Sequence, residues 1–199
     1  MSGNVGLPSG GAMRALAEVE DEPLRADGLV LRRPVVGDAP LVFRGTRDPL
    51  VREFLQAVIP HLDMAAAERW LTEVPPLLWA EGRAAYFTVD LDEEPVGWAE
   101  LVNLDAADQS AEVAVWLLPE HRRMRTATGA LRLVCRFGFE RLGLRRIDAF
   151  AAADNMPSQV MGAAIGFRRA GYRPALFRSS RTQRLHDAVH ATLVPDDLC

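Results

Sequence analysis

Lysine is absent from the 199 residues, and all 23 basic side chains are arginine. The absence excludes a phosphate-loop lysine, a Schiff-base or pyridoxal lysine and a lysine general base. A GC-rich coding bias also gives an arginine-only set, so the bias alone says nothing of function. Cysteine is nearly missing: Cys135 falls in an apolar helical pattern and Cys199 closes the sequence. Neither a disulfide framework nor a thiolate metal site is supported. Of the four histidines, His61, His121, His186 and His190, the last two would share a strand face two pleats apart, with no ligand cluster around them. No metal is expected. No stretch approaches the roughly 18 uninterrupted apolar residues that cross a bilayer, so no membrane partner is expected.

What is present is ordinary globular composition, 49% hydrophobic and 25% charged, at a length that predicts one domain. The net charge of -4 hides an uneven distribution. Residues 122–184 hold 14 arginines against Glu140, Asp148 and Asp154 alone. Such a basic segment meets an anion, either a phosphorylated cofactor, a nucleic acid, or the acidic part of its own chain. Nucleic acid is not expected. Arg132, Arg136 and Arg141 lie opposite the apolar stripe of their helix, as on a solvated face, and no zinc-finger or basic-zipper pattern occurs.

The opening Met1–Ala12 stretch has four glycines, no hydrophobic run and no early arginine cluster. It is neither a signal nor a transit peptide, and residues 1–28 read as a flexible leader. A cytoplasmic, reducing compartment is the default. Residues 29–199 form the single domain. A strand opens it at residues 28–32, Asp38 is placed to cap a short helix near Pro40, and Asp63 caps a helix that Pro75-Pro76 should end. Strands at 85–91, 96–104 and 111–118, separated by acidic turns, predict an antiparallel meander. After Pro119 the pattern changes to a helix over 126–142 stopped by Gly143, a strand at 147–152, a helix at 157–165 and a last strand at 185–194. The sum is α+β, with a mixed central sheet, a closing hairpin and flanking helices.

Three pieces carry the chemistry. The strand Ala111–Leu118 runs into Pro119-Glu120-His121-Arg122-Arg123-Met124-Arg125-Thr126-Ala127 at a helix start, whose free amides and positive dipole end can cradle a diphosphate. Asp154-Asn155-Met156-Pro157-Ser158 is a polar turn between a strand and a helix, and Gly166-Phe167 follows that helix. With Ala127-Thr128-Gly129-Ala130-Leu131, Phe139–Ile147 and the ending from Leu185-His186-Asp187 to Val194-Pro195-Asp196, this order resembles the GNAT superfamily of acyl-CoA N-acyltransferases. The ribosomal-protein N-terminal acetyltransferase type is the nearest likeness. The resemblance covers about residues 29–197.

The resemblance implies acetyl-CoA as donor and an amine of a small molecule or protein N-terminus as acceptor. Pantetheine would pair with the backbone of Val115, Trp116 and Leu117, and the diphosphate would sit on the loop of Arg122, Arg123, Met124, Arg125, Thr126, Ala127 and Thr128, with Asn155 nearby. Arg122 and Ala127 match the family loop, but Arg125 and Arg123 stand where glycines are usual. Either Arg125 swings outward and adds charge, or it fills the phosphate seat and leaves a non-catalytic binding or scaffolding protein. Use of another acyl carrier is a more distant alternative. Glu112 is the candidate base, acting through water, and Glu100 the second; each reads equally as an acid on a half-buried strand. Ser158 would protonate the leaving thiolate, or else serve as a first-turn hydroxyl. Trp98 and Trp116 read as core. Acceptor specificity would come from the helices over about 38–80 and the hairpin near 173–186. A homodimer is the default for a soluble oligomer.

Overall fold

The computed structural model describes residues 13–56 and 58–199. Eight strands form one sheet in the order β1-β2-β3-β4-β5-β6-β8-β7. Strands β1 (Leu24–Ala26) and β2 (Leu29–Arg32) are followed by α1 (Ala39–Gly45), α2 (Pro49–Phe54) and α3 (Met64–Ala80). The meander β3 (Ala85–Leu91), β4 (Glu94–Asp105) and β5 (Ser110–Leu117) leads into α4 (Met124–Arg136). Then come β6 (Arg146–Ala152), α5 (Met156–Ala163) and the hairpin β7 (Arg168–Arg178) and β8 (Leu185–Leu193). This is the expected α+β fold with a mixed sheet flanked by helices. Turn chemistry explains the meander: Asp92 and Glu93 both take positive φ (51° and 69°), the paired left-handed geometry that matches strand twist in a two-residue hairpin.

The sheet separates two cores. Val113 and Leu117 of β5 and Leu101 of β4 pack with Ala130, Leu131 and Val134 of α4. On the other face Trp98 and Trp116 pack with Leu41 and Val42 of α1, Val51 of α2, and Ala67 and Leu71 of α3. At the end of α1 the approach is so close that a Cβ on Gly45 would lie 2.0 Å from the Trp116 ring.

Four expectations are corrected. Residues 1–12 of the expected leader lie outside the described residues, but Leu16, Val19 and Leu24 are buried in the main core, and the Arg14 amide donates to the Leu142 carbonyl. The spaced apolar residues of an otherwise acidic stretch carry this packing. Asp38 makes no side-chain bond to the amides of α1. It is buried, accepting two bonds from the Arg32 guanidinium and others from Thr88 Oγ1 and the Val35 amide. The charge-assisted Arg32 fork is the stronger partner. Helix α3 runs through Pro75 and Pro76 to Ala80. A mid-helix proline costs about 3 kcal/mol, but Ala67, Leu71, Pro75 and Trp79 form one buried stripe, and Trp79 packs on Phe87 and Phe137 beneath the Arg33 guanidinium. Ending the helix at Pro75 would strip Trp79 from that site. Finally, α4 starts at Met124, two residues early, and its last part, Phe137–Leu142, is a wider π-helical segment that Gly143 (φ 73°) terminates. Among the described residues no helix is long and apolar enough to cross a membrane.

Candidate functional site

Strands β5 and β6 are parallel and paired only at Ser110–Glu112 against Arg146–Asp148. Beyond that point β5 continues beside β4 through Leu117, while β6 continues beside β8, its partner from Ile147 to Ala152. The Val113–Leu117 edge therefore faces β6 without a strand partner. A cleft of about 1330 Å³ occupies the notch and reaches both faces of the sheet.

The α4 end of the cleft is lined by Arg122, Arg123, Met124 and Ala127. Because α4 begins at Met124 and the Ala127 amide closes the first helical bond, onto the Arg123 carbonyl, the amides of Met124, Arg125 and Thr126 have no intrahelical acceptor. Arg123 precedes the helix without a side-chain cap. Arg122 holds the fold together here, because its guanidinium donates to the Leu117 carbonyl and pairs with Asp48, which also caps α2 through the Leu50 and Val51 amides. Arg125 is exposed and does not line the cleft. Thr126 is buried, and Thr128 Oγ1 donates back to the Met124 and Arg125 carbonyls. The loop residues thus divide, with Arg125, Thr126 and Thr128 outside the cleft wall.

Alternation along β5 separates its roles. Val115 and Leu117 join the α4-side core, whereas Trp116 packs on the α1–α3 side, stacked on Trp98 at 6.4 Å between centroids. Glu112 lines the cleft, as do Val115, Trp116 and Leu117. The register sets Glu100 opposite Ala114 and Val102 opposite Glu112, which makes the two carboxylates diagonal neighbours on the α1–α3 face. Glu100 also lines the cleft and accepts a bond from Trp98 Nε1 at 3.1 Å. Burial raises its pKa from 4.5 to about 7, against the lowering effect of that bond. The neighbouring Tyr86 hydroxyl is pushed up to about 12, first by burial and then by Glu100.

At the far wall Asn155 caps α5 by accepting from the Ser158 amide at 3.4 Å. Asn155 and Ser158 both line the cleft, Ser158 as the third residue of the helix rather than its cap. Cys135 is fully buried away from the cleft, and burial raises its thiol pKa. Among the described residues no group of three or more His, Cys, Asp or Glu is placed to hold a metal ion.

Sequence reasoning missed the aromatic wall. Trp70 lies 5.5 Å from His61, 5.8 Å from Tyr86 and 5.6 Å from Trp98, ring centre to ring centre. It also missed Glu53. This buried carboxylate of α2 accepts from Arg181, Ser179 and Thr182 and bonds His186 Nε2, while His186 Nδ1 meets Asp154. Burial opposes ionisation of Glu53, but these bonds outweigh it and lower its pKa to about 2. The cluster ties α2 to the β7–β8 hairpin and the α5 turn. A lone glutamate in an apolar helical pattern was the one available signal.

A model of the acetyltransferase (GNAT) domain matches residues 28–168. The "uncharacterized N-acetyltransferase p20" of Bacillus licheniformis is 26% identical over 152 residues, covering 75% of this chain and 84% of that protein. The "putative ribosomal N-acetyltransferase YdaF" of Bacillus subtilis is 31% identical over 99 residues, covering 49% of this chain and 52% of its own. The structure of Mycobacterium smegmatis RimJ in complex with CoA-disulfide superposes with a TM-score of 0.75 at 22% identity, over 89% of this chain and 88% of that one. With the family model spanning well over half its length and the parted parallel strands of its sheet, the chain belongs to the GNAT acetyltransferase family.

Proposed function

We propose that the protein transfers an acetyl group from acetyl-CoA to a primary amine. One observation carries this reading: β5 and β6 part over a cleft that meets the open end of α4 on one side and Glu100 on the other. The residues fit the donor. The unpaired edge Val113–Leu117 offers backbone partners to the pantetheine amides, and the amides of Met124, Arg125 and Thr126, with Arg123 beside them, suit a diphosphate. The exposed position of Arg125 supports the outward-swung arrangement, in which the substituted glycine does not close the seat.

The donor supplies a thioester carbonyl activated for attack. The amine enters from the α1–α3 face, where Glu100 and Glu112 lie diagonally. Glu100 is the better-placed base, because a carboxylate titrating near 7 balances availability against basicity at neutral pH. Glu112 holds the water or the amine beside it. As the carbon–nitrogen bond forms and the carbon–sulfur bond breaks, the amine proton passes to Glu100 and Ser158 Oγ donates a proton to the sulfur, to be reprotonated from water. Calorimetric titration with acetyl-CoA tests the reading, with saturable heat expected. No heat and no thermal stabilisation at millimolar acetyl-CoA would overturn it.

A further inference from the structure

The donor occupies the notch and the mouth of α4, and leaves unexplained a wall on the other face of the sheet. There Trp70 is at the centre of a ring cluster with His61, Tyr86 and Trp98, beside Glu100. Above it the segment at 58–62 carries Ile59 and Leu62, which line the cleft yet stand 80% and 84% exposed. Large apolar side chains on the rim of an aromatic-walled cleft fit a ligand that covers them.

We infer that the acceptor is a primary amine carried one or two carbons from an aryl ring. The inference rests on the acyltransferase reading and specifies its second substrate. The ammonium form would dock against the cleft-lining rings of Trp70 and Tyr86, beside the Glu100 carboxylate, a cation–π and charge-paired seat, and the aryl group would lie against Ile59 and Leu62. Glu100 first takes one proton from the docked ammonium and passes it to cleft water. The neutral amine then attacks, the amide bond to the acetyl carbon forming as the thioester carbon–sulfur bond breaks. The second amine proton goes to Glu100, and the thiolate takes its proton from Ser158, which is reprotonated from water.

Acid count argues against a polyamine. Besides Glu100 and Glu112 the cleft wall holds one further carboxylate, Asp154, and it is engaged by Arg184 and His186. Among the described residues the wall therefore offers Glu112 alone to a second ammonium and no free acid to a third. The aryl amine has two sources, a free arylalkylamine or a peptide with N-terminal phenylalanine, and they share the chemistry at the seat.

Three of the four tryptophans, Trp70, Trp98 and Trp116, line the cleft, so tryptophan fluorescence reports amine binding without the donor. Titrations with 2-phenylethylamine and Phe-Gly-Gly are compared with spermidine and Ala-Gly-Gly, then repeated as thiol release with acetyl-CoA. Saturable quenching is expected with one or both aryl amines, with kcat/KM at least about tenfold above spermidine and Ala-Gly-Gly, the gain that burying one large apolar group allows. The better of the two identifies the source. Leu62→Glu, at an exposed site that does not threaten folding, should raise KM for the preferred aryl amine about tenfold while the calorimetric affinity for acetyl-CoA holds. Equal or better turnover of spermidine or Ala-Gly-Gly, absence of aryl quenching, or an unchanged KM in Leu62→Glu would each overturn the inference. Failure of acetyl-CoA to bind would overturn the acyltransferase reading instead, and the fluorescence titrations would still decide this one.

Discussion

Replacing Glu100 by glutamine should slow the enzyme and stabilise the protein at once. In the folded chain burial holds this carboxyl near 7, against 4.5 when solvated. Below pH 4.5 both states are protonated and the site contributes nothing. Between 4.5 and 7 the unfolded chain releases a proton that the folded chain keeps, so stability falls as pH rises, and above 7 the whole penalty is in place. At 1.36 kcal/mol per unit the penalty approaches about 3 kcal/mol. The Glu100→Gln variant never ionises, its amide oxygen keeps the bond from Trp98 Nε1, and its amino group faces the cleft. Urea unfolding of the two proteins should therefore coincide near pH 4 and diverge by up to about 3 kcal/mol at pH 8, the variant being the more stable. Acetyl transfer should fall about 10²- to 10⁴-fold, the usual worth of a general base, and the rise of wild-type kcat/KM near pH 7 should vanish. A variant less stable at pH 8, or a pH–rate profile that keeps its inflection near 7, would refute the assignment.

Arg125→Gly should leave the calorimetric affinity for acetyl-CoA within a few-fold, because the side chain lies outside the cleft wall; a gain of tenfold or more would mean that it obstructs the diphosphate. Asp38→Ala should cost about 1–3 kcal/mol in urea unfolding, since it leaves Thr88 Oγ1 and the Val35 amide without their acceptor and the partly exposed Arg32 with Asp90 and the Arg33 carbonyl. Burial opposes ionisation of Asp38, but the bonds from Arg32, Val35 and Thr88 hold its pKa below the usual value. Its stabilisation is thus complete above the unfolded carboxyl pKa and lost on acidification below it, and the variant's pH–stability curve should be flatter there. Gly45→Ala should cost about 1–3 kcal/mol by overpacking and perturb tryptophan fluorescence, because the added Cβ meets Trp116.

The parts legible in the sequence were those set by local chemistry. The acidic turn at Asp92-Glu93, the strand alternation from Ala85 to Leu117, and Gly143 at the end of the helical stripe each fix their element within a few residues. Where tertiary packing overrides a local rule, the reading failed: Trp79 holds α3 together past two prolines, and Arg32 draws Asp38 away from its helix. The loop before α4 was legible because its residues are contiguous. The aromatic wall was not, since Trp70, Tyr86 and Trp98 come from a helix and two strands and meet only when the helices cover the sheet. Glu53 and His186 stand 133 residues apart, and no spacing joins them. The raised pKa of Glu100 likewise depends on burial that alternation alone does not distinguish from exposure.

The charge asymmetry resolves into two uses of the same residue type. Arg122, Arg141, Arg146, Arg168 and Arg181 reach acids beyond the basic segment, at Asp48, Glu22, Asp108, Asp197 and Glu53. Much of the surplus therefore binds the chain to itself, joining segments far apart in sequence. Arg123 and Arg125 differ. Among the described residues neither is in a salt bridge with a carboxylate, and both stand at the start of α4, where the helix dipole is already positive. Two unneutralised guanidinium groups beside three unpaired amides would be a like-charge cost without an anion, and a diphosphate removes that cost. If acetyl-CoA binds as proposed, Arg123 and Arg125 would meet its diphosphate with charge from the solvent side of the helix start.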